Sequence, residues 1–297
     1  MAQVIKIPTI NDTTSDFETL FSIRNQVSDP FQDVHFEFST CRFLSPNAVA
    51  FLGGLARLLA SQEKKVVFDW DTIINIKVRM NLRQNGFAGT FGYPSASWDG
   101  NCVPYREDII DDSNQIMDYL TDSWLGKGWV NVSQRLRDAI VGQLWEIYAN
   151  AFEHAGSKVG VFSCGQHFPA KKELSLAVVD FGQGIVANVR KFLNRDPRSG
   201  RLTAAGCLRW AFQPGTTTLP NGMARGLGLD LLKQFVRVNH GIMEVYSNDG
   251  YVIVSGQGER FNSLATPFEG TMFYLTLKCD EALYRFADEP SNSSRFF

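Results

Sequence analysis

The stretch that most constrains this chain is residues 144–154, which read LWEIYANAFEH. Its apolar residues recur at three- and four-residue steps, a spacing typical of an amphipathic helix. Glu146, Asn150 and His154 lie four positions apart and therefore form a second, polar row on the same helix. A carboxylate, an amide oxygen and an imidazole in one row can hold a hydrated divalent cation and a triphosphate. An ordinary solvated helix face would have the same pattern, and these residues alone leave both interpretations open.

Composition narrows the function classes. The chain has 297 residues, 44% of them hydrophobic and 20% charged, which is enough for two globular domains. Its net charge of −2 offers no basic surface for nucleic acid or an anionic membrane, so we expect neither as a partner. No apolar run reaches the length of a membrane span, and the opening MAQVIKIPTI is too short and polar for a signal peptide. We therefore expect a cytoplasmic protein whose five scattered cysteines are free thiols.

Residues 1–112 alternate strand and helix patterns, which predicts a small α/β domain with helices covering a mostly parallel or mixed sheet. A strand at residues 34–39, a turn at 43–47, a long apolar helix and a strand at 65–70 weakly resemble the STAS fold of anti-anti-sigma factors. STAS proteins carry a phosphorylatable serine in this turn. Only Ser45 remains here, without the acidic residue and glycine of that motif, so it is either a helix cap or a phosphorylation site.

Residues 98–131 contain glycine and proline interruptions, a run of acidic residues and few strand signals, which indicates a junction between domains. We place a linker or capping helix at residues 113–132, the second domain at 133–280 and a tail at 281–297. The second domain begins with a predicted helix at 133–154 that carries the polar row.

Two strand patterns follow this helix, and the second ends in the motif Asp180-Phe181-Gly182-Gln183-Gly184. A carboxylate at the end of a strand can accept a hydrogen bond from an exocyclic amino group such as that of adenine. The two glycines permit a sharp turn and leave room for a flat ring beside the backbone. A glycine turn capped by aspartate would produce the same pattern without any ligand.

Residues 213–225 form a long segment rich in glycine, proline and threonine, which predicts a functional loop such as a lid. Gly226, Leu227 and Gly228 follow directly before a predicted helix. Their backbone N–H groups and the positive end of the helix dipole could hold a phosphate.

The end of the chain predicts further strands. A hairpin is expected around a turn at residues 248–250, and a last strand is expected to begin beside Thr271. With the earlier pair, this gives five mostly antiparallel strands with helices on one side, which is a two-layer α/β sandwich.

Taken in order, these motifs resemble the ATP-binding domain of the GHKL superfamily, which includes gyrase-type ATPases and histidine kinases, over residues 133–278. The polar row resembles the N box of that family, residues 180–184 and 226–229 resemble its two glycine boxes, and Gly270-Thr271 resembles the turn before its last strand. The resemblance implies a GHKL, or Bergerat-type, α/β sandwich that binds ATP and Mg²⁺.

The resemblance also implies residue roles. Asn150 would bind Mg²⁺, and Glu146 would act as general base if ATP is hydrolysed. Asp180 would bind the adenine amino group with support from Thr271. Five backbone positions would shape the adenine pocket or bind phosphate, namely Gly182 and Gly184 for the pocket and Gly226, Leu227 and Gly228 for the phosphates. His154 would either contact the phosphates or end the helix.

One departure from the family pattern narrows the function. Sensor histidine kinases usually carry a lysine three residues after the N-box asparagine, but Glu153 stands there in this chain. The only histidine before the N box, His35, lies in a predicted strand, so we do not expect a histidine kinase.

We expect instead an Mg-ATP-binding regulatory protein, closest to the anti-sigma-factor serine kinases, whose lid controls a partner or interdomain contact. A serine/threonine protein kinase and a slow ATPase are the alternatives. The expected protein partner is a STAS-type or sigma-factor-like regulator, and a homodimer is left open.

Overall fold

Two β-sheets organise the chain, one parallel and one antiparallel. The computed structural model describes residues 2–27, 32–97, 100–195, 202–213, 216 and 229–290. The strands among these residues are β1 (Gln3–Lys6), β2 (Val34–Glu37), β3 (Val66–Asp69), β4 (Cys102–Asp108), β5 (Val161–Phe168), β6 (Glu173–Asp180), β7 (Ile242–Ser255) and β8 (Gly258–Lys278).

The α-helices among the described residues lie between these strands. They are α1 (Thr14–Gln26), α2 (Pro46–Ser61), α3 (Ile76–Gln84), α4 (Phe87–Thr90), α5 (Ser113–Asp118), α6 (Gln134–Asn150), α7 (Ile185–Phe192), α8 (Ala204–Ala211) and α9 (Asp230–Val238). A π-helical turn at Ala151–Ala155 extends α6 to the left-handed Gly156, so the helix predicted at residues 133–154 is confirmed. No described helix is long and apolar enough to cross a bilayer.

The N-terminal sheet has the strand order β1-β2-β3 and is parallel throughout. Thr13 and Asp16 form a reciprocal capping box that begins α1. Ser45 stands at the N-cap of α2 with Pro46 at the first helical position, as predicted, but its hydroxyl does not cap the helix. Instead, Ser45 is buried and its Oγ lies 3.4 Å from the Tyr274 hydroxyl of β8.

The five-stranded sheet has the order β4-β5-β6-β8-β7, and its neighbouring strands are antiparallel. Its first strand, β4, lies in the segment that the sequence analysis treats as a junction with few strand signals. Pro104 interrupts the strand pattern there, and proline is tolerated in a sheet mainly on an edge strand, which is the place of β4. β4 pairs with β5 and so belongs to the antiparallel sheet, although it precedes the domain boundary predicted near residue 113.

The turn predicted at residues 248–250 is wrong. β7 runs continuously through this segment, with a register irregularity and a positive φ of 54° at Asn248. The hairpin turn instead follows Ser255, which pairs with Gly258 across two intervening residues. On the partner strand, residues 264–267 leave the register between Ser263 and Phe268; we call these four residues the β8 excursion.

The prediction that helices cover one side of the antiparallel sheet is also incomplete. One face packs against α6 and α9, as expected, but the opposite face packs against α1 and α2. The cause is visible in α2, whose buried residues surround the helix because it lies between the two sheets. The fold is therefore mixed α/β, with the antiparallel sheet buried on both faces.

Two helical glycines provide a matched test of this packing. A Cβ at Gly54 of α2 would overlap the rings of Phe162 and Phe181, whereas a Cβ at Gly142 of α6 meets no atom within 4 Å. We expect Gly54→Ala to lower the free energy of unfolding by about 1–3 kcal/mol through overpacking. Gly142→Ala should raise it by about 0.5–1 kcal/mol, because alanine is the better helix former. Urea denaturation measures both, and stabilisation by Gly54→Ala would contradict the two-sided burial of α2.

Candidate functional site

A cavity among the described residues lies between α6, the antiparallel sheet and the helices α7 and α8. Five of the residues proposed from sequence line it, namely Asn150, His154, Asp180, Gly184 and Thr271. The other described lining residues are mostly apolar: Ile147, Ala151, Ala155, Val178, Ile185, Asn188, Val189, Trp210, Ala211, Thr216, Leu229, Val245 and Phe273. Segments far apart in the sequence thus converge on one concave surface.

Helix α6 presents its last turns to this cavity. Ser133 caps its N-terminus through Leu136 N–H, and the buried Tyr148 hydroxyl bonds to Ser163 Oγ (2.6 Å), which fixes the helix to β5. Asn150 and His154 face the cavity, but Glu146 does not line it. Four residues turn an α-helix by about 400°, so each step of the polar row moves about 40° around the axis. Only the last two residues of the polar row, Asn150 and His154, therefore line the cavity.

Asp180 is the buried polar group of the site. Alternation along β6 directs Val178 and Asp180 to the cavity and Phe181 to the opposite face, where it packs against α2. Asp180 is only 3% exposed, and its Oδ1 accepts a hydrogen bond of 2.8 Å from Gly182 N–H. Burial raises the pKa of Asp180 to about 7, even though hydrogen bonds from Gly182 and Thr271 act in the opposite direction.

Thr271 lies directly across the sheet from Asp180, as its register partner on β8. The preceding Gly270 has a φ of +139°, and a Cβ there would overlap the Asp180 carbonyl oxygen and the Phe268 ring. Glycine at this position thus lets β8 approach the end of β6 closely. The close approach brings the carboxyl group and the threonine hydroxyl together on the cavity wall.

The two glycines after Asp180 have different structural roles. Gly184 has a φ of +79° and lies against Ser247, Asn248 and the Gly270 carbonyl, where a side chain would not fit. Gly182 does not line the cavity but packs against the Ala155 carbonyl at the end of α6. The neighbouring Gln183 N–H donates to that same carbonyl oxygen (2.7 Å), so the turn is fastened to the helix.

Residues that the sequence analysis missed hold the turn from the other side. Ser247 Oγ accepts from Ile185 N–H (2.7 Å), and Asn248 Oδ1 accepts from Ala187 N–H (3.1 Å) at the start of α7. Asn188 Nδ2 donates to the His154 carbonyl oxygen (2.9 Å). The signal for Asn248 was present in the sequence, but it was assigned to a hairpin turn.

The proposed phosphate-binding residues Gly226, Leu227 and Gly228 lie outside the described residues, as does most of the predicted lid at 213–225. The described part of the cavity wall includes no lysine or arginine. The described residues also contain no group of three or more histidine, cysteine, aspartate or glutamate side chains that could hold a metal. Among the described lining residues, Asn150 offers an amide oxygen and Asp180 a carboxylate.

The sequence matches no known protein family in a comparison with family profiles, and no curated protein matches it. The geometry of the site is thus the main guide to its chemistry.

The raised pKa of Asp180 predicts a pH-dependent difference in stability. The folded protein holds this proton more tightly than the unfolded chain, so the stabilisation is present below the ordinary pKa of 3.8 and is lost as the pH rises to about 7. Asparagine does not ionise, so the Asp180→Asn variant does not lose this stability as the pH rises. We expect the variant to gain on the order of 2 kcal/mol over the wild type between pH 5 and pH 8. Urea denaturation at both pH values measures the gain, and a pH-independent difference would contradict the assigned burial.

Proposed function

We propose that this chain is an Mg-ATP-binding regulatory protein of the GHKL type, with the nucleotide held in the cavity beside Asp180. One observation carries the proposal: Asn150, Asp180 and Thr271, chosen from three separate motifs, line the same cavity. The five-stranded antiparallel sheet with α6 and α9 on one face is compatible with such a domain. The parallel sheet with α1 and α2 would then be a STAS-like unit packed on its other face.

The base-binding end of the cavity is best supported. The described part of the wall is mostly apolar and contains the buried Asp180 carboxyl group, and such a combination favours a flat heterocycle with one outward-facing amino group. Asp180 would accept a hydrogen bond from the amino group of adenine, with Thr271 beside it on the neighbouring strand. Val178 and Phe273 supply apolar contact on the sheet side.

The phosphate-binding end would depend on Mg²⁺. Hard cations prefer oxygen ligands and often keep several waters when few protein groups bind them. Asn150 offers an amide oxygen at the cavity wall, and His154 lies one helical turn further along. The phosphates would complete the coordination, and the backbone at residues 226–228 would donate N–H groups to them.

Two observations favour binding over group transfer as the main activity. Glu146, the proposed general base, does not line the described cavity. Ser45, the acceptor considered for an internal kinase reaction, is 1% exposed and lies against Tyr274. A side chain so buried offers no access to a γ-phosphate, so autophosphorylation at Ser45 is disfavoured.

Calorimetry with Mg·ATP tests the proposal. A hydrogen bond from adenine favours the ionised carboxylate, so binding should release a proton near the pKa of about 7 of Asp180. Affinity should therefore rise by up to about tenfold between pH 6 and pH 8, and heats measured in two buffers should reveal the released proton.

A pair of matched variants distinguishes a specific role of Asp180 in binding from a general effect of removing a carboxylate. Asp180→Asn should lower the affinity for Mg·ATP by at least about tenfold and abolish proton release, since it removes a charged acceptor. Asp138→Asn changes an exposed carboxylate on α6 and should leave both unchanged. Unchanged affinity in the Asp180 variant, or no heat with the wild type, would contradict the proposal.

Glu146→Ala distinguishes the switch from the ATPase and the kinase. We expect Mg·ATP affinity within about twofold of the wild type, because Glu146 lies off the cavity wall. Incubation with γ-labelled ATP should leave the nucleotide intact in the wild type if the protein acts as a switch. Free phosphate would instead indicate an ATPase, and labelled protein a kinase. Either activity should be lost in the Glu146 variant.

A further inference from the structure

The segment that carries Thr271 is attached to the N-terminal helix α1. The β8 excursion at residues 264–267 leaves the strand register and reaches toward this helix, where Leu264 joins the core that contains α1 and α2. β8 resumes its pairing at Phe268, three residues before Thr271. A second register shift separates Phe268 from Thr271, so Thr271 adjoins this irregular connection on one side and, on the other, the regular β6–β8 ladder in which it pairs with Asp180.

Three residues of α1 hold the connection. Glu18 Oε1 accepts a hydrogen bond from Ala265 N–H (2.8 Å), and the Phe21 ring stacks on Phe268 with centroids 4.8 Å apart. Arg24 Nη2 forms an ion pair with Glu269 Oε2 at 2.7 Å. The α1 residues are spaced three apart, so neighbouring members adjoin along one side of the helix.

The same layer also supports the Asp180 side of the cavity. The Phe181 ring packs on Phe51 of α2 (centroids 5.3 Å apart) and meets Phe268 edge-on at 5.5 Å. Phe268 thus contacts both α1 and the residue that follows Asp180. The two halves of the proposed base-binding site share one aromatic support from the N-terminal layer.

We infer that α1 is a positioning element for the cavity, with Glu18, Phe21 and Arg24 fixing the β8 segment that places Thr271 opposite Asp180. The inference rests on the proposed function for its effect on nucleotide affinity. Arg24 touches neither Asp180 nor the cavity wall and is a positioning residue that acts through Glu269. The N-terminal helix and the nucleotide site are thereby linked, so a change at α1 changes the affinity of the cavity for Mg·ATP.

Arg24→Ala is the direct test, because it removes the ion pair to the exposed Glu269 carboxylate and leaves the buried apolar residues of α1 in place. We expect Mg·ATP affinity to fall about three- to tenfold. Amide hydrogen exchange at residues 268–272 should accelerate without ligand. In the charge-swapped pair Arg24→Glu with Glu269→Arg, both affinity and protection should return, whereas each single reversal should lower them.

Arg135→Ala is the matched control. It breaks an ion pair of the same length, Arg135 with Asp288 at 2.7 Å, whose arginine is more exposed than Arg24 and lies about 22 Å along α6 from Asn150. This variant should keep wild-type affinity and exchange at residues 268–272. Equal exchange in the Arg24→Ala variant and the wild type, or failure of the swapped pair to recover, overturns the inference. Should the wild type not bind Mg·ATP, the proposed function fails, and hydrogen exchange still decides the positioning role.

Discussion

The antiparallel sheet is buried on both faces, by α6 and α9 on one side and by α1 and α2 on the other. Successive side chains of a strand point to opposite faces of the sheet, so a residue that faces one side directs its neighbour in the sequence to the other side. In β6 this places Asp180 toward the cavity and Phe181 toward α2. Asp180 and Phe181 are adjacent in the sequence, so a shift of the cavity wall at Asp180 would also move Phe181 in the core on the opposite face.

The buried carboxyl of Asp180 carries an energetic cost that the fold tolerates. Its raised pKa shows that the charged form is disfavoured where it lies, despite the hydrogen bonds from Gly182 and Thr271. An unliganded protein would be more stable with a neutral residue there. Destabilising buried groups of this kind are common at binding and catalytic sites, where stability is traded for function. Other buried polar groups, such as Tyr148 and Ser163, form hydrogen bonds between neutral side chains.

Sequence predicted those features that depend on local pattern. The periodicity of α6 and the turn after Asp180 are encoded within a few residues, and both are present in the structure. The features that depend on distant partners were missed. Pro104 is tolerated within β4 because β4 is an edge strand of the sheet. Asn248 has a positive φ within a continuous strand, and its side chain accepts a hydrogen bond from the start of α7. No short-range signal encodes the second covered face, because α1 and α2 meet strands formed much later in the chain.

Helices α1 and α2 pack against strands that are synthesised much later. Arg24 and Glu269 are 245 positions apart, so α1 and α2 leave the ribosome long before the strands that cover them. Until β5 and β6 are synthesised for α2, and β8 for α1, the apolar sides of these helices have only the small parallel sheet to pack against. Nascent chains that expose such surface are prone to aggregate, and contacts of high sequence separation form slowly. Efficient production of this protein is therefore expected to depend on chaperones that shield the early helices during translation.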